Sequence, residues 1–203
     1  MTASTGPDQE LPAGHPSPVT VELADADATR GYGRALAAVL RAGDLVVLTG
    51  DLGAGKTTLT QGIGAGLGVR GQVASPTFII ARVHPPLPGV AATSGAAGEA
   101  STPGEAGPAL VHVDAYRLGS LDEVEALDLD TSLEDSVTVV EWGEGLVESL
   151  ASDRLELSIH RPRGAALVEA DGGDAPEEDP AGGTRTVTVR AVGARWAGIR
   201  LPS

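Results

Sequence analysis

Apolar residues recur along this chain in two rhythms. Between Asp27 and Arg41, Ala28, Tyr32, Leu36, Val39 and Leu40 fall at the spacing that gathers side chains on one helix face, with Asp25, Asp27 or Thr29 as possible caps. Leu59, Ile63 and Leu67 predict a second helix, which Gly66 and Gly68 are expected to end. Short apolar runs predict strands at Val19–Leu23, Leu45–Thr49, Ala109–Val113 and Val137–Val140, and Val73–Val83 reads as a loop entering a strand. Leu118–Asp135 predicts an acidic helix and turn, and Gly145–Leu150 a brief helix. The alternating segments Arg154–His160 and Arg185–Val192 predict an antiparallel pair added at the sheet edge. Strands interleaved with helices imply an α/β domain with a mixed, mainly parallel sheet.

Three stretches interrupt these rhythms. Residues 1–18 are rich in Pro, Gly and small polar residues and read as a disordered tail. Residues 84–108 hold almost no large apolar side chains, so they cannot bury enough surface to offset the entropy of ordering and read as a flexible insertion in a hairpin. Residues 168–184 carry six acids between Glu169 and Asp179 and read as a solvated loop. One domain over residues 19–200 accounts for the rest.

Charge and composition narrow the function. The formal net charge of −14 argues against a protein that grips a nucleic-acid backbone by itself, because that binding is mainly phosphate neutralisation by Lys and Arg. Cys is absent, which removes disulfides, thiolate metal sites and cysteine nucleophiles. The start of the chain has neither a basic segment nor an apolar one, and no run approaches a membrane span, so a cytoplasmic location is expected. Lys56 is the single Lys of the chain; the other basic residues are all Arg. A lone Lys at this position favours a requirement specific to Lys.

Lys56 lies in Gly50–Thr57, GDLGAGKT, which satisfies the GxxxxGK[ST] phosphate-loop pattern between a predicted strand and a predicted helix. A triphosphate is held there by backbone N–H groups at a helix N-terminus, and glycines let that backbone come close. Gly50, Gly53 and Gly55 fill this role, Lys56 is expected to bridge the β- and γ-phosphates of ATP, and the Thr57 hydroxyl is expected to ligate Mg²⁺. The fold expectation sharpens to a three-layer P-loop NTPase-like domain.

Such a loop needs a carboxylate at the C-terminal end of a neighbouring strand. Glu141 after Val137–Val140 and Asp114 after Leu110–Val113 both qualify, and the residues alone do not separate the metal ligand from the group that orients water. His112 is compatible with a structural hydrogen bond or with a base. Arg117 is compatible with stabilising a transferring phosphoryl group or with pairing to an acid of the next helix. Trp142 is expected to pack, and the Thr77 hydroxyl in Ser75–Phe78 is a candidate γ-phosphate sensor.

Taken together, GDLGAGKTTL, SPTF, HVDAYRL with an acidic helix after it, and VVEWGE resemble the TsaE family, small ATPases of bacterial tRNA threonylcarbamoyladenosine synthesis. The match in order and spacing runs from about Val19 to Leu150, and SPTF with HxDxYR separates this family from P-loop proteins at large. The resemblance implies that Thr57 and Glu141 bind Mg²⁺ and that Leu52, Gly53, Ala54, Gly55, Lys56 and Thr57 line the phosphates. It also implies that Asp114 sits in a switch-like segment needed for hydrolysis, and that the nucleotide base lies near Asp25–Thr29. The implied partner is a TsaB–TsaD type complex that modifies the tRNA, the ATPase meeting RNA only through it, in agreement with the acidic charge. The tail, the insertion and the acidic loop depart from the family's compact form.

Three rival functions fit these residues less well. A small-metabolite P-loop kinase needs an Arg-rich lid, and no Arg-rich segment follows the core in the right place. A regulatory GTPase needs a Lys in its guanine-reading loop, which the chain lacks. A scaffold without catalysis is disfavoured because both acids and the motif Thr are intact.

Overall fold

Seven strands and three α-helices follow one another along the described residues, 17–75, 80–88, 107–127, 133–162 and 183–203, of the computed structural model. They are β1 (Val19–Leu23), α1 (Ala26–Ala37), β2 (Leu45–Thr49), α2 (Lys56–Leu67), β3 (Ala81–His84), β4 (Ala109–Asp114), α3 (Leu121–Glu125), β5 (Ser136–Glu141), β6 (Arg154–His160) and β7 (Arg185–Val192). One sheet takes them in the order β1-β7-β6-β2-β5-β4-β3. β6, β2, β5 and β4 are mutually parallel and form its core, whereas β3, β7 and β1 join antiparallel. The expected antiparallel C-terminal pair is present, and β1 pairs with β7 to take the edge beyond it.

Alternation along β2 builds the layers. Val46 and Leu48 pack with Leu36 of α1, Leu40 just beyond it, and Leu59, Ile63 and Leu67 of α2, while Leu45 and Val47 join Val124 of α3 and Val147 on the other face. Both faces of β2 are thus covered, as a central parallel strand requires. Each such Leu or Ile contributes about 1.5–3 kcal/mol on burial.

The helix ends follow local chemistry. Of the three candidate caps, Asp25 is the one used: its carboxylate accepts from the Ala28 N–H at 2.8 Å. α1 ends at Ala37, short of the expected Arg41. Gly68 closes α2 in the left-handed conformation, but Gly66 is interior, placed where a side chain would run into the Ala37 methyl. Gly33 and Gly62 bring the two helices closer still, since a Cβ on Gly62 would meet the Arg30 carbonyl and one on Gly33 the Leu59 carbonyl.

The acidic helix is brief within the described residues. Ser120 accepts from the Glu123 N–H and Glu123 accepts from the Gly119 N–H, a reciprocal cap for the five residues of α3. The expected helix at Gly145–Leu150 reduces to a 3₁₀ turn, Glu148–Leu150, because Gly145 adopts φ +78°, outside the right-handed helical region. Residues 1–16 of the expected tail, 89–106 of the insertion, 128–132 of the acidic segment, 168–182 of the acidic loop, and Thr77 lie outside the described residues.

The C-terminal residues lock onto α1. Burial pushes the Tyr32 hydroxyl pKa up to about 12, and that hydroxyl donates to the Pro202 carbonyl at 3.1 Å. Arg195 donates to both Asp44 oxygens, at 3.2 and 3.1 Å, and to the Val39 carbonyl at 2.9 Å, with both side chains of the pair buried. Burial raises the Asp44 pKa, against the lowering pull of the Arg41 N–H and Arg195. Arg195→Ala would leave that carboxylate buried without its cation, at a cost of about 3–5 kcal/mol. In a domain of this size the melting temperature should fall by roughly 6–20 °C, and a fall of under about 2 °C would show that water replaces the guanidinium freely.

His84 sets an acid limit on the β3–β4 hairpin. Its side chain is buried and Nε2 has no hydrogen-bond partner. Burial lowers its pKa, with the backbone of Arg70 pulling it up and His112 and Arg82 pulling it down. As pH falls below about 6.5 the unfolded chain takes up the proton first, so this contribution is intact above that pH and declines toward the folded-state pKa. Thermal melts between pH 7.5 and 5 should show a steeper acid loss for the wild type than for His84→Leu; parallel profiles would remove His84 as the cause.

Candidate functional site

β2 ends at Thr49, and the chain turns into α2 through Gly50–Gly55. Gly50 adopts φ +144° with its α-carbon against the Ile159 carbonyl, and Gly55, at φ +114°, starts α2 without any side-chain cap. The first amides of α2 are therefore open to an external anion, which the helix dipole also favours.

A cleft of about 370 Å³ lies over this turn. Leu52, Gly53, Gly55, Lys56 and Thr57 line it. Ala54 does not: its methyl is buried beneath the loop and its N–H donates to the Asp51 carbonyl at 3.1 Å. Asp114 and Glu141 enter from the ends of β4 and β5, where the parallel register sets them side by side.

Lys56 is 5% exposed, and its ammonium donates to the carbonyls of Gly50 at 2.7 Å and Asp51 at 2.9 Å. Burial lowers its pKa, while the carboxylates of Glu141, Asp114 and Asp51 act to raise it. The same Nζ stands 3.7 Å from the centroid of the Trp142 ring, a cation–π contact. Trp142 thus lines the cleft rather than merely packing. It holds φ +61°, a conformation that is rare and strained for a bulky residue, and its N–H donates to the Leu48 carbonyl.

The Thr57 hydroxyl reaches both oxygens of Glu141, at 2.9 and 3.1 Å, across 84 positions of sequence. His112 Nε2 lies 2.8 Å from Glu141 Oε1. That ring is fully buried beneath the cleft, so of its two readings the structural hydrogen bond is the one that fits. Asp114 accepts from the Ser75 hydroxyl at 3.2 Å and from the Tyr116 N–H at 3.1 Å, tying the segment before Pro76 to the turn after β4. Arg117 is exposed in that turn and does not line the cleft.

Ala26, within the stretch implied to lie near the base, and Ser75, of the SPTF element, also line the cleft, whereas sequence reading missed Arg30, Thr58 and Arg185. Arg185 opens β7, far along the chain, and only the strand order brings its guanidinium against Gly55. No local spacing signals it. Thr57 and Glu141 offer hard oxygen donors, and no cluster of three or more His, Cys, Asp or Glu fit to hold a metal occurs among the described residues. That donor set fits Mg²⁺, which takes one or two protein oxygens and completes its shell with phosphates and water.

A parallel strand that ends in a glycine loop and feeds an uncapped helix, at the centre of a sheet flanked by helical layers, gives this protein a P-loop NTPase-like fold. The family model described as "Threonylcarbamoyl adenosine biosynthesis protein TsaE" matches residues 23–166. The chain belongs to the TsaE family. The tRNA threonylcarbamoyladenosine biosynthesis protein TsaE of Streptomyces coelicolor is 57% identical over 169 residues, 83% of this chain and 93% of the relative. That of Mycobacterium bovis is 45% identical over 70% of this chain and 79% of its own. The crystal structure of Bacillus subtilis YdiB is similar at a TM-score of 0.55 and 27% identity, covering 89% of each chain. Among the described residues no helix is long and apolar enough to cross a membrane.

Proposed function

We propose that the protein is an ATP hydrolase that binds Mg²⁺ and ATP in this cleft and, with a TsaB–TsaD type complex, supports threonylcarbamoyladenosine modification of tRNA. The observation that carries the proposal is the meeting of the Thr57 hydroxyl and the Glu141 carboxylate beside Lys56 at the open N-terminus of α2. The loop amides and α2 hold phosphate oxygens, and the Lys56 ammonium exchanges its two loop carbonyls for them. Thr57 and Glu141 hold Mg²⁺, which neutralises charge on the phosphates when bound. Asp114, held by Ser75 and the Tyr116 N–H, orients the attacking water, whose oxygen bonds to the γ-phosphorus as the bond to the bridging oxygen breaks; ADP and phosphate result, and the water's protons pass to phosphate and solvent. Loss of that phosphate frees the segments around Ser75 and Asp114, and the partners read the change.

The names of the relatives support the pathway, and the net charge of −14 supports contact with tRNA through partners rather than directly. The proposal places the protein in the cytoplasm, where tRNA and ATP are. The test is ATP hydrolysis by the purified protein, alone and with the partner complex of the same organism and tRNA. Slow turnover that rises with partners is expected, with no phosphorylated small molecule formed. Turnover indifferent to partners but stimulated by a metabolite that becomes phosphorylated would make the protein a small-metabolite kinase instead.

A further inference from the structure

Glu141 is buried at 3% exposure, and its carboxylate is held asymmetrically. Oε1 is contacted by both Thr57 Oγ1 at 2.9 Å and His112 Nε2 at 2.8 Å, whereas among the described residues Oε2 is hydrogen-bonded by Thr57 alone, at 3.1 Å. Thr57 has one hydroxyl proton and lies within reach of either oxygen, so it does not by itself select one orientation of the carboxylate. His112 does. Its ring is fully buried, and its backbone lies in β4 between β3 and β5, paired with Val139, two residues before Glu141. Residues two apart on a strand share a face, so the register alone aims the ring at Glu141. Nδ1 is buried with no hydrogen-bond partner, which fits a tautomer whose proton is on Nε2 and is donated to Oε1.

We propose that His112 is a positioning residue for the Mg²⁺ site: it fixes the Glu141 carboxylate through Oε1 and leaves Oε2 with lone pairs for the ion or its water. This inference rests on the nucleotide reading above and adds a residue that never touches nucleotide. Outer partners of metal-binding groups change metal affinity by about 10–100-fold when removed. The effect of His112 must therefore appear in the Mg²⁺-dependent part of nucleotide affinity, not in the part made by the loop and Lys56.

The experiment is calorimetric binding of the non-hydrolysable ATP analogue AMPPNP, in Mg²⁺ and in EDTA, to the wild-type chain, His112→Ala and His112→Gln. The wild type should bind more tightly in Mg²⁺. His112→Ala should lose about tenfold or more of that tightening while its affinity in EDTA is unchanged. His112→Gln, whose side-chain amide offers an N–H near the place of Nε2, should keep most of it. If His112→Ala retains the full Mg²⁺ tightening, or loses affinity by the same factor with and without Mg²⁺, the residue is structural and the proposal falls. Should the Ala variant fail to fold, the Gln variant decides, since an equal loss in both buffers overturns the assignment. A wild type that binds no AMPPNP in either buffer refutes the nucleotide reading itself. Binding that Mg²⁺ leaves unchanged refutes only the metal site and the role of His112.

Discussion

Asp114→Ala should cut ATP turnover by about 10²–10⁴-fold while leaving nucleotide affinity nearly unchanged. Asp114 lines the cleft at the end of β4, where its two oxygens accept from the Ser75 hydroxyl and the Tyr116 N–H. Removing it takes away the group proposed to orient water and loosens a surface segment, while Lys56, Thr57 and Glu141 keep their places. Asp114→Asn separates these effects, because the amide oxygen can still accept one of the bonds but the charge is gone. Single-turnover hydrolysis alongside calorimetric binding gives both numbers. Normal hydrolysis by Asp114→Ala would end its assigned role.

Lys56→Ala should act on the other step and abolish tight nucleotide binding. Truncating one partner of a buried charge pair costs about 2–5 kcal/mol, which corresponds to roughly 30-fold to several thousandfold in affinity. The ammonium is already desolvated and faces three carboxylates, so its interaction with phosphate is made in a site where water screens little. Lys56→Arg is not a conservative rescue, because a wider planar fork does not reproduce the compact ammonium that meets the Gly50 and Asp51 carbonyls. A melting temperature that ATP and Mg²⁺ raise in the wild type, but not in either variant, is the expected result. Undiminished stabilisation of Lys56→Ala would place the phosphates elsewhere.

The parts of the site that were legible in the sequence are contiguous or periodic. The Gly50–Thr57 loop could be read because phosphate binding needs neighbouring amides, and Asp114 and Glu141 because an acid after a short apolar run falls at a strand end. The meeting of Thr57 with Glu141 could not be read from spacing, since it depends on β2 and β5 being neighbours; only the family resemblance implied it. Arg185 is in the wall only because β7 lies beyond β6, and the pair Asp44–Arg195 joins residues 151 positions apart. Gly66 was misread for a related reason: a glycine near a helix end suggests a stop, and only the position of Ala37 shows that it serves close packing.

The seam between α1 and α2 bears on how nucleotide could move this protein. At Gly33 and Gly62 the two helix backbones meet with no side chain between them, so rotamer change cannot loosen the seam at these points. Mechanically it is one stiff member, with the phosphate loop at one end and the Tyr32 and Arg195 ties to the C-terminal residues along its flank. In the proposed mechanism, displacement that begins at the γ-phosphate would therefore find its compliant path through the Ser75 and Asp114 segments, and a disulfide or rigid linker fastening those two should halt the motion without touching the helices.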